Sequence, residues 1–239
     1  MGAHPDVKEG EMRIGYDSGT DGVAVLTLDD GKANAMSVDW FHELAAALDR
    51  AEREAAALVI RGRDGFFSAG LDLKLLPTLS PDGLRNLSDT FARTMLRVHQ
   101  LPIPAIAAVT GHAIAGGAVL AFACDLRFAL GGPYRLQLNE VAIGIPVPAW
   151  MVHIADTVVP PRWRTQALLH ARAFSPIEAL ERGIVDGLAS SPEEVLAHAR
   201  AAALPLTKLP RTAYAESKRR LRAEGAERAL ARLVGEGRR

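Results

Sequence analysis

Apolar positions along the 239-residue chain alternate between short continuous runs and helical stripes. Val23-Ala24-Val25-Leu26-Thr27-Leu28 is a β-branched run closed by Asp29-Asp30-Gly31, which predicts a strand and a turn. Ser37 then reads as an N-cap, with Val38, Phe41, Leu44, Ala45 and Leu48 at helical spacing, so a helix is expected over about 38–54. Ala57-Leu58-Val59-Ile60 is a short buried strand. Ser80-Pro81-Asp82 supplies a cap, a first-turn proline and a first-turn acid, opening a helix to about residue 100 that Pro102 and Pro104 end. A strand at 105–109, a buried helix at 118–124 and strands at 126–129 and 134–138 follow.

After Pro148 the pattern turns helical. Ser175-Pro176-Ile177-Glu178 and Ser191-Pro192-Glu193-Glu194 both carry the signature of a capping box with proline at the first helical position. A short extended piece is expected at Gly183-Ile184-Val185-Asp186, and a last helix over about 210–234. The repeated strand–strand–helix order predicts an α/β protein with a spiral or layered sheet. On this reading residues 1–174 form the core and 175–239 an all-helical C-terminal subdomain. No G-x-G-x-x-G follows a strand, so the fingerprint of dinucleotide binding is missing.

Charge changes the picture little. Lys+Arg and Asp+Glu both number 28, so nothing draws the chain to nucleic acid in general. The single cysteine, Cys124, lies in an apolar stretch and reads as a buried small hydrophobe in a reducing compartment. Residues 1–17 mix acids with few apolar side chains, unlike a secretory or transit peptide, and Asp6 argues against myristoylation at Gly2. From Ile103 to Cys124 there is no charge, a bilayer-spanning length. Its Pro104, Thr110, Gly111, His112, Gly116 and Gly117, with much alanine, favour a buried strand, turn and helix in a soluble protein.

The chemistry is concentrated in two glycine-containing turns and one acid. Phe67-Ser68-Ala69-Gly70-Leu71-Asp72-Leu73 and Gly111-His112-Ala113-Ile114-Ala115-Gly116-Gly117 hold no evident nucleophile, metal ligand or phosphate cradle. Each can offer a backbone N–H, at Leu71 and at Gly116, where small neighbours let a ligand approach. Two such donors on one oxygen form an oxyanion hole, with Glu140 as the candidate for proton transfer.

These two turns, in this order, resemble those of the crotonase (enoyl-CoA hydratase/isomerase) superfamily. The resemblance extends to Lys32-Ala33-Asn34-Ala35-Met36-Ser37, Cys124-Asp125, Asn139-Glu140 with Gly144-Ile145-Pro146, and Ala179-Leu180 through Gly183-Ile184-Val185-Asp186. It implies a spiral of ββα units, a helical C-terminal trimerisation region and an acyl-CoA thioester held between two N–H groups. Leu71 and Gly116 match the two donors, and Glu140 the catalytic carboxylate. Lys32, Ala33, Asn34, Ala69 and Lys74 match the path of adenine and pantetheine, with Gly70, Asp72 and Gly117 beside them. No cofactor is implied, since coenzyme A belongs to the substrate. A cytoplasmic homotrimer or hexamer, bound to neither nucleic acid nor membrane, is the expectation.

Val119 bears most on the reaction. Hydratases of the family carry a second glutamate three residues after the oxyanion glycine, and here that position is Val119. The stretch from Leu138 to Trp150 also resembles Δ3,Δ2-enoyl-CoA isomerases, which keep one glutamate. Isomerisation is therefore the leading expectation. The alternatives are hydration, another crotonase-fold reaction, or a non-catalytic acyl-CoA- or RNA-binding role. An apolar surrounding of Val119, Ile143 and Ile145 is expected to raise the Glu140 pKa. Trp150 is a candidate wall of an acyl pocket, while His112 and Trp163 read as packing residues. The last segment, residues 207–239, holds ten Lys/Arg against four Asp/Glu, and Lys208, Arg211 and Lys218 are candidates for the CoA phosphates.

Overall fold

The computed structural model describes residues 13–236. The expectations about a leader and about Gly2 fall chiefly on residues 1–12, outside the described residues. The chain opens with β1 (Ile14–Asp17), β2 (Val23–Leu28), β3 (Ala35–Met36) and α1 (Val38–Glu54). It continues with β4 (Ala57–Arg61), β5 (Gly65–Ser68), β6 (Gly70–Leu71) and α2 (Pro81–His99). Next come β7 (Ala105–Val109), β8 (Gly111–Ile114), α3 (Gly116–Ala123), β9 (Leu126–Leu130) and β10 (Leu136–Gln137). The remainder is α4 (Ala149–Asp156), α5 (Pro161–Arg164), α6 (Pro176–Glu181), β11 (Gly187–Ala189), α7 (Pro192–Leu206) and α8 (Arg211–Glu236).

The strands separate into layers by their place in each unit. The first strand of each unit joins a six-stranded sheet in the order β1-β2-β4-β7-β9-β11, parallel except at the β1–β2 edge. The second strands form two smaller parallel sheets, β10-β8-β5 and β3-β6. Strand–strand–helix thus repeats as a spiral, as expected from the sequence.

Local signals hold where they act locally. The Ser37 side chain accepts from the Trp40 N–H and starts α1, and Ser80 does the same for α2 through the Gly83 N–H. Ser175 and Glu178 form the full reciprocal capping box. At Ser191 only half of it forms, because the Glu194 carboxylate turns to the N–H and hydroxyl of Ser190.

Three expectations about element bounds are corrected. α3 begins at Gly116 rather than 118, so the second glycine turn is itself a helix N-terminus. β10 covers only Leu136–Gln137 of the expected 134–138. The extended piece at 183–186 is not a strand. There the Ile184 carbonyl and the Asp186 carboxylate are taken by the buried Arg127 guanidinium, at 3.1 and 3.3 Å, and pairing starts only at Gly187.

Residues after 174 are therefore not all helical, since β11 extends the large sheet beside β9. They also share the core: Val195, Ala199 and Ala203 of α7 pack on one face of that sheet against Val59, Ile106 and Ala108. Ala226 and Ala229 of α8 join the apolar mass beneath α1–α4. The uncharged stretch from Ile103 to Cys124 is β7, β8 and α3, all in the core. No helix among the described residues is long and apolar enough to cross a membrane.

One buried ion cluster anchors α8. The Asp125 carboxylate, just after α3, accepts from Lys218 Nζ at 2.8 Å, from the Tyr214 hydroxyl at 3.0 Å and from the Ala105 N–H at 2.8 Å, and pairs with Arg222 at 3.0 Å. Burial pulls the Asp125 pKa up, but Lys218 and Arg222 outweigh it and hold the carboxyl below its usual range. Asp125→Asn strands two buried cations, whereas Lys218→Met leaves Asp125 with Arg222. We expect Lys218→Met to cost about 2 kcal/mol and Asp125→Asn about 4 kcal/mol. Urea unfolding checks both values and their order.

Candidate active site

The site is assembled from backbone before any side chain enters. Asp30 Oδ1 accepts from the Lys32 and Asn34 N–H groups at 2.8 and 2.9 Å, and Oδ2 from Ala35 at 3.1 Å, fixing the turn before β3. Asn34 sits at φ 51° with its amide donating to the carbonyls of Leu28 and Phe67, at 2.8 and 3.1 Å. The first glycine turn is stitched onto this loop. Ala69 N–H donates to Ala33 O at 2.9 Å, the Ser68 hydroxyl to Asn34 O at 2.6 Å, and Gly70 N–H to Ser68 Oγ at 3.1 Å.

The second turn then approaches the first. Gly70 has φ +83°, and a Cβ there would lie 2.8 Å from the Gly116 nitrogen and 3.0 Å from Ala115 Cβ. A Cβ on Gly117 would collide with the Ser68 carbonyl. Glycine is needed at both places because backbone sits where a side chain would go.

Among the described residues, both proposed donors lack an acceptor at this junction. Asp72 N–H, two residues along from Gly70, donates to Met36 O at 3.0 Å across the β3–β6 pairing. Successive N–H groups of a strand point to opposite sides, so that of Leu71 faces away from β3. Gly116 is the first residue of α3, whose leading N–H groups have no acceptor within the helix. Ala115, before it, is held at φ 49° and ψ −122°, a costly geometry for a residue with a Cβ.

Glu140 stands across the cleft. Its carbonyl accepts from Ile143 and Ile145, at 3.1 and 2.9 Å, in the short 3₁₀ turn Val141–Ile143, which fixes its backbone. The residue is 4% exposed, and carboxyl Oε2 has no partner among the described residues. Burial therefore raises its pKa above the ordinary glutamate value of 4.5.

A cavity of about 230 Å³ joins these groups. Leu71, Ala69 and Gly116 line it with Glu140, and Phe91, Trp150 and Met151 close its depth. Among the described residues, Glu140 is the only ionisable one in its lining. Ile143 and Ile145 supply the apolar surrounding expected of them, but Val119 does not. Val119 is buried in the core below α3 and does not line the cavity.

Other expected ligands lie elsewhere. The Asn34 amide is buried and spent on carbonyls, so its side chain serves the turn and has no donor left for a ligand. Lys32 and Lys74 are exposed, and the Asp72 carboxylate caps its own loop by accepting from the Lys74 N–H at 3.0 Å. Lys218 is buried on Asp125, and Arg211 donates to the Ala55 and Glu52 carbonyls, so these two hold the fold together rather than meeting phosphates. Lys208 is exposed. His112 packs between Phe66 and Tyr134, tilted to one ring and edge-on to the other with centroids 5.2 and 5.4 Å away, and does not line the cavity. Trp163 is part-buried with Arg162 and Arg182 over its ring.

Trp150 lines the cavity, as its candidacy required, with an edge-on partner in Phe91 at 4.8 Å. Phe91 and Ser88 are cavity residues the sequence reading did not name. For Phe91 a signal existed, since Leu84, Leu87 and Phe91 form one stripe of α2.

The family model for enoyl-CoA hydratase/isomerase matches residues 18–236. The chain belongs to the enoyl-CoA hydratase/isomerase family. It is 32% identical to human mitochondrial enoyl-CoA delta isomerase 1 over 72% of this chain and 58% of that protein. It is 36% identical to a probable enoyl-CoA hydratase of Bacillus subtilis over 76% and 71%. The match thus spans somewhat under two thirds of the mitochondrial relative. Among solved structures, a Mycobacterium tuberculosis protein described in one structure as an enoyl-CoA isomerase and in another as a probable enoyl-CoA hydratase superposes with a TM-score of 0.86 at 33% identity, the first covering 95% of this chain and 97% of that one.

The junction of the two turns can be tested without any substrate. Gly70 and Gly31 both have positive φ, but a Cβ on Gly31 meets nothing within 4 Å. Gly31→Ala is expected to cost about 1 kcal/mol from backbone strain alone. Gly70→Ala is expected to cost about 2–3 kcal/mol, because the turns must also separate. Denaturant unfolding of the two variants gives the comparison.

Proposed function

We propose that this protein is a Δ3,Δ2-enoyl-CoA isomerase. The observation that carries the reading is that, among the described residues, a single ionisable side chain, Glu140, faces a cavity lined mainly by apolar residues beside two backbone donors. A 1,3-proton shift needs one base that accepts a proton at one carbon and returns it at another. Water addition is better served by two carboxylates. Val119 stands where the family's hydratases hold the second.

In this mechanism the thioester oxygen of a 3-enoyl-CoA accepts from the N–H groups of Leu71 and Gly116. Glu140 removes a C2 proton, the electron pair moves into a dienolate whose charge rests on that oxygen, and the new carboxylic acid protonates C4. Each donor contributes about 3 kcal/mol to the charged state. The N-terminus of α3, with its free N–H groups, adds positive potential at the same oxygen. Burial keeps Glu140 from being too weak a base and, once protonated, makes the proton easier to hold until C4 is reached. Lys32 and Lys74, both exposed, are left for the CoA arm. On this reading the enzyme works in the cytoplasm as a homotrimer or hexamer, with no cofactor beyond the CoA of its substrate.

Similarity to an enoyl-CoA delta isomerase supports the assignment, while the relative named a probable hydratase keeps hydration as the second reading. Assay of matched 2-enoyl- and 3-enoyl-CoA substrates separates them. The isomerase reading expects turnover of the 3-enoyl ester, and faster hydration of crotonyl-CoA would overturn it. Glu140→Gln is expected to lower isomerisation by about a thousandfold or more while CoA-ester binding persists. Near-normal turnover in that variant would remove Glu140 from the chemistry.

The pH dependence has a definite sign. Glu140 must be ionised to accept the C2 proton, and burial favours its neutral form. kcat/KM should therefore rise with pH through a limb lying above 4.5, the ordinary glutamate value. A rate profile of the wild type locates that limb, and a limb at or below the ordinary value contradicts the desolvated base.

A further inference from the structure

Four of the large aliphatic side chains most exposed to solvent belong to the cavity that holds Glu140. Leu73 is 54% exposed, Leu84 40%, Ile143 44% and Ile145 41%, and all four line that cavity. They come from three separate segments: the loop after β6, the first turns of α2, and the 3₁₀ turn that follows Glu140. No single element's packing accounts for them. At the opposite end Phe91, Trp150 and Met151 are buried, and Phe91 Cζ would stand only 2.7 Å from a Cβ on Gly116. The cavity is thus closed by aromatics immediately behind the oxyanion glycine and open across an aliphatic rim.

An apolar rim around a cavity mouth is unusual on a free surface and marks a binding site. Two arms diverge from the carbonyl carbon of a thioester, one polar pantetheine and one hydrocarbon. Aliphatic side chains at the mouth favour the hydrocarbon arm. The closed aromatic end leaves a longer tail no room to extend behind Gly116.

We propose that the rim formed by Leu73, Leu84, Ile143 and Ile145 is a subsite for the tail of long acyl groups, so that the enzyme prefers esters whose chains reach past the cavity. The proposal rests on the reading of the cavity as a thioester site but not on which reaction occurs there. A tail lying on the rim is covered on one side and wet on the other. Each methylene should then tighten binding about twofold, half the logarithmic increment of full burial.

Saturated acyl-CoA esters, which cannot be isomerised or hydrated, make the test independent of turnover. Calorimetric titration of the wild type with butyryl-, hexanoyl-, decanoyl- and dodecanoyl-CoA should show affinity rising with length. From hexanoyl to dodecanoyl the expected gain is about sixtyfold. The double variant Leu73→Ser with Leu84→Ser should lose about tenfold for dodecanoyl-CoA and stay within about twofold of wild type for butyryl-CoA. Both positions are exposed, so its thermal midpoint should hold, and circular dichroism confirms folding. A flat length profile in the wild type overturns the subsite, as does an equal loss for short and long esters. A changed sedimentation coefficient with unchanged dodecanoyl affinity also overturns it, assigning the rim to contact between copies of the chain. If no ester binds, the thioester reading itself fails. If affinity rises with length but no enoyl ester is turned over, the subsite stands and the isomerase reading falls.

Discussion

Everything in the site depends on two stretches of backbone coming closer than side chains allow. The turn at Gly70 lies against the first residue of α3, and Gly117 lies against the Ser68 carbonyl. Neither contact contributes much attraction. What holds the turns together is the surrounding stitching: Ser68 to Asn34, Ala69 to Ala33, and Asn34 to the carbonyls of Leu28 and Phe67. Packing density in the core then makes the junction stiff, because α3 is buried along its whole length. A donor pair set by rigid backbone needs no reorganisation when charge develops on the bound oxygen, which is the property an oxyanion hole requires.

The remaining fold can be read as support for that junction. The large sheet carries the first strand of each unit, and the second strands bring both glycine turns to one side of it. α3 leaves β8 directly at Ala115, so its N-terminus cannot drift relative to the small sheet. Beyond its far end Asp125 gathers Lys218, Arg222 and Tyr214 of α8. The buried ion cluster is costly to desolvate and is not by itself a source of stability. Its effect is to fix where the last helix docks, and with it the wall of apolar residues behind the cavity. His99 shows how dry that region is: burial, with Arg222 nearby, lowers its pKa to about 3, so it stays neutral.

Much of this was legible because the signals are local. Caps at Ser37, Ser80 and Ser175 each act within three residues, and the stripe in α1 needs only its own spacing. The glycine turns were legible because a missing side chain is visible in the sequence whatever it later packs against. The misreadings share an opposite cause. Lys218 looks like a surface cation until a residue 93 positions away, Asp125, proves to be its partner. The Asn34 amide is spent on carbonyls more than thirty residues distant, among others, which nothing in its own neighbourhood announces. Residues 183–186 have strand composition, but the guanidinium of Arg127 claims their polar groups first. Each depends on a long-range polar partner, and hydrophobic periodicity carries no information about those.

Val119 makes the same distinction at the heart of the chemistry. Its identity was plain in the sequence, but its side chain points to a consequence only three dimensions reveal: it fills the core and leaves the cavity wall to others. A carboxylate added beside Glu140 would lie near a second desolvated acid, and two like charges in so small an apolar space cannot both ionise readily. The pair would divide into one acid and one base, which suits activation of water. A lone buried carboxyl has no such partner to divide with. On the isomerase reading it holds the proton it has just taken until the other end of the same dienolate accepts it. Removing one acid therefore changes the proton's route as well as the number of groups. On that reading the burial that raises the Glu140 pKa also disfavours losing the proton to water before it returns to substrate carbon.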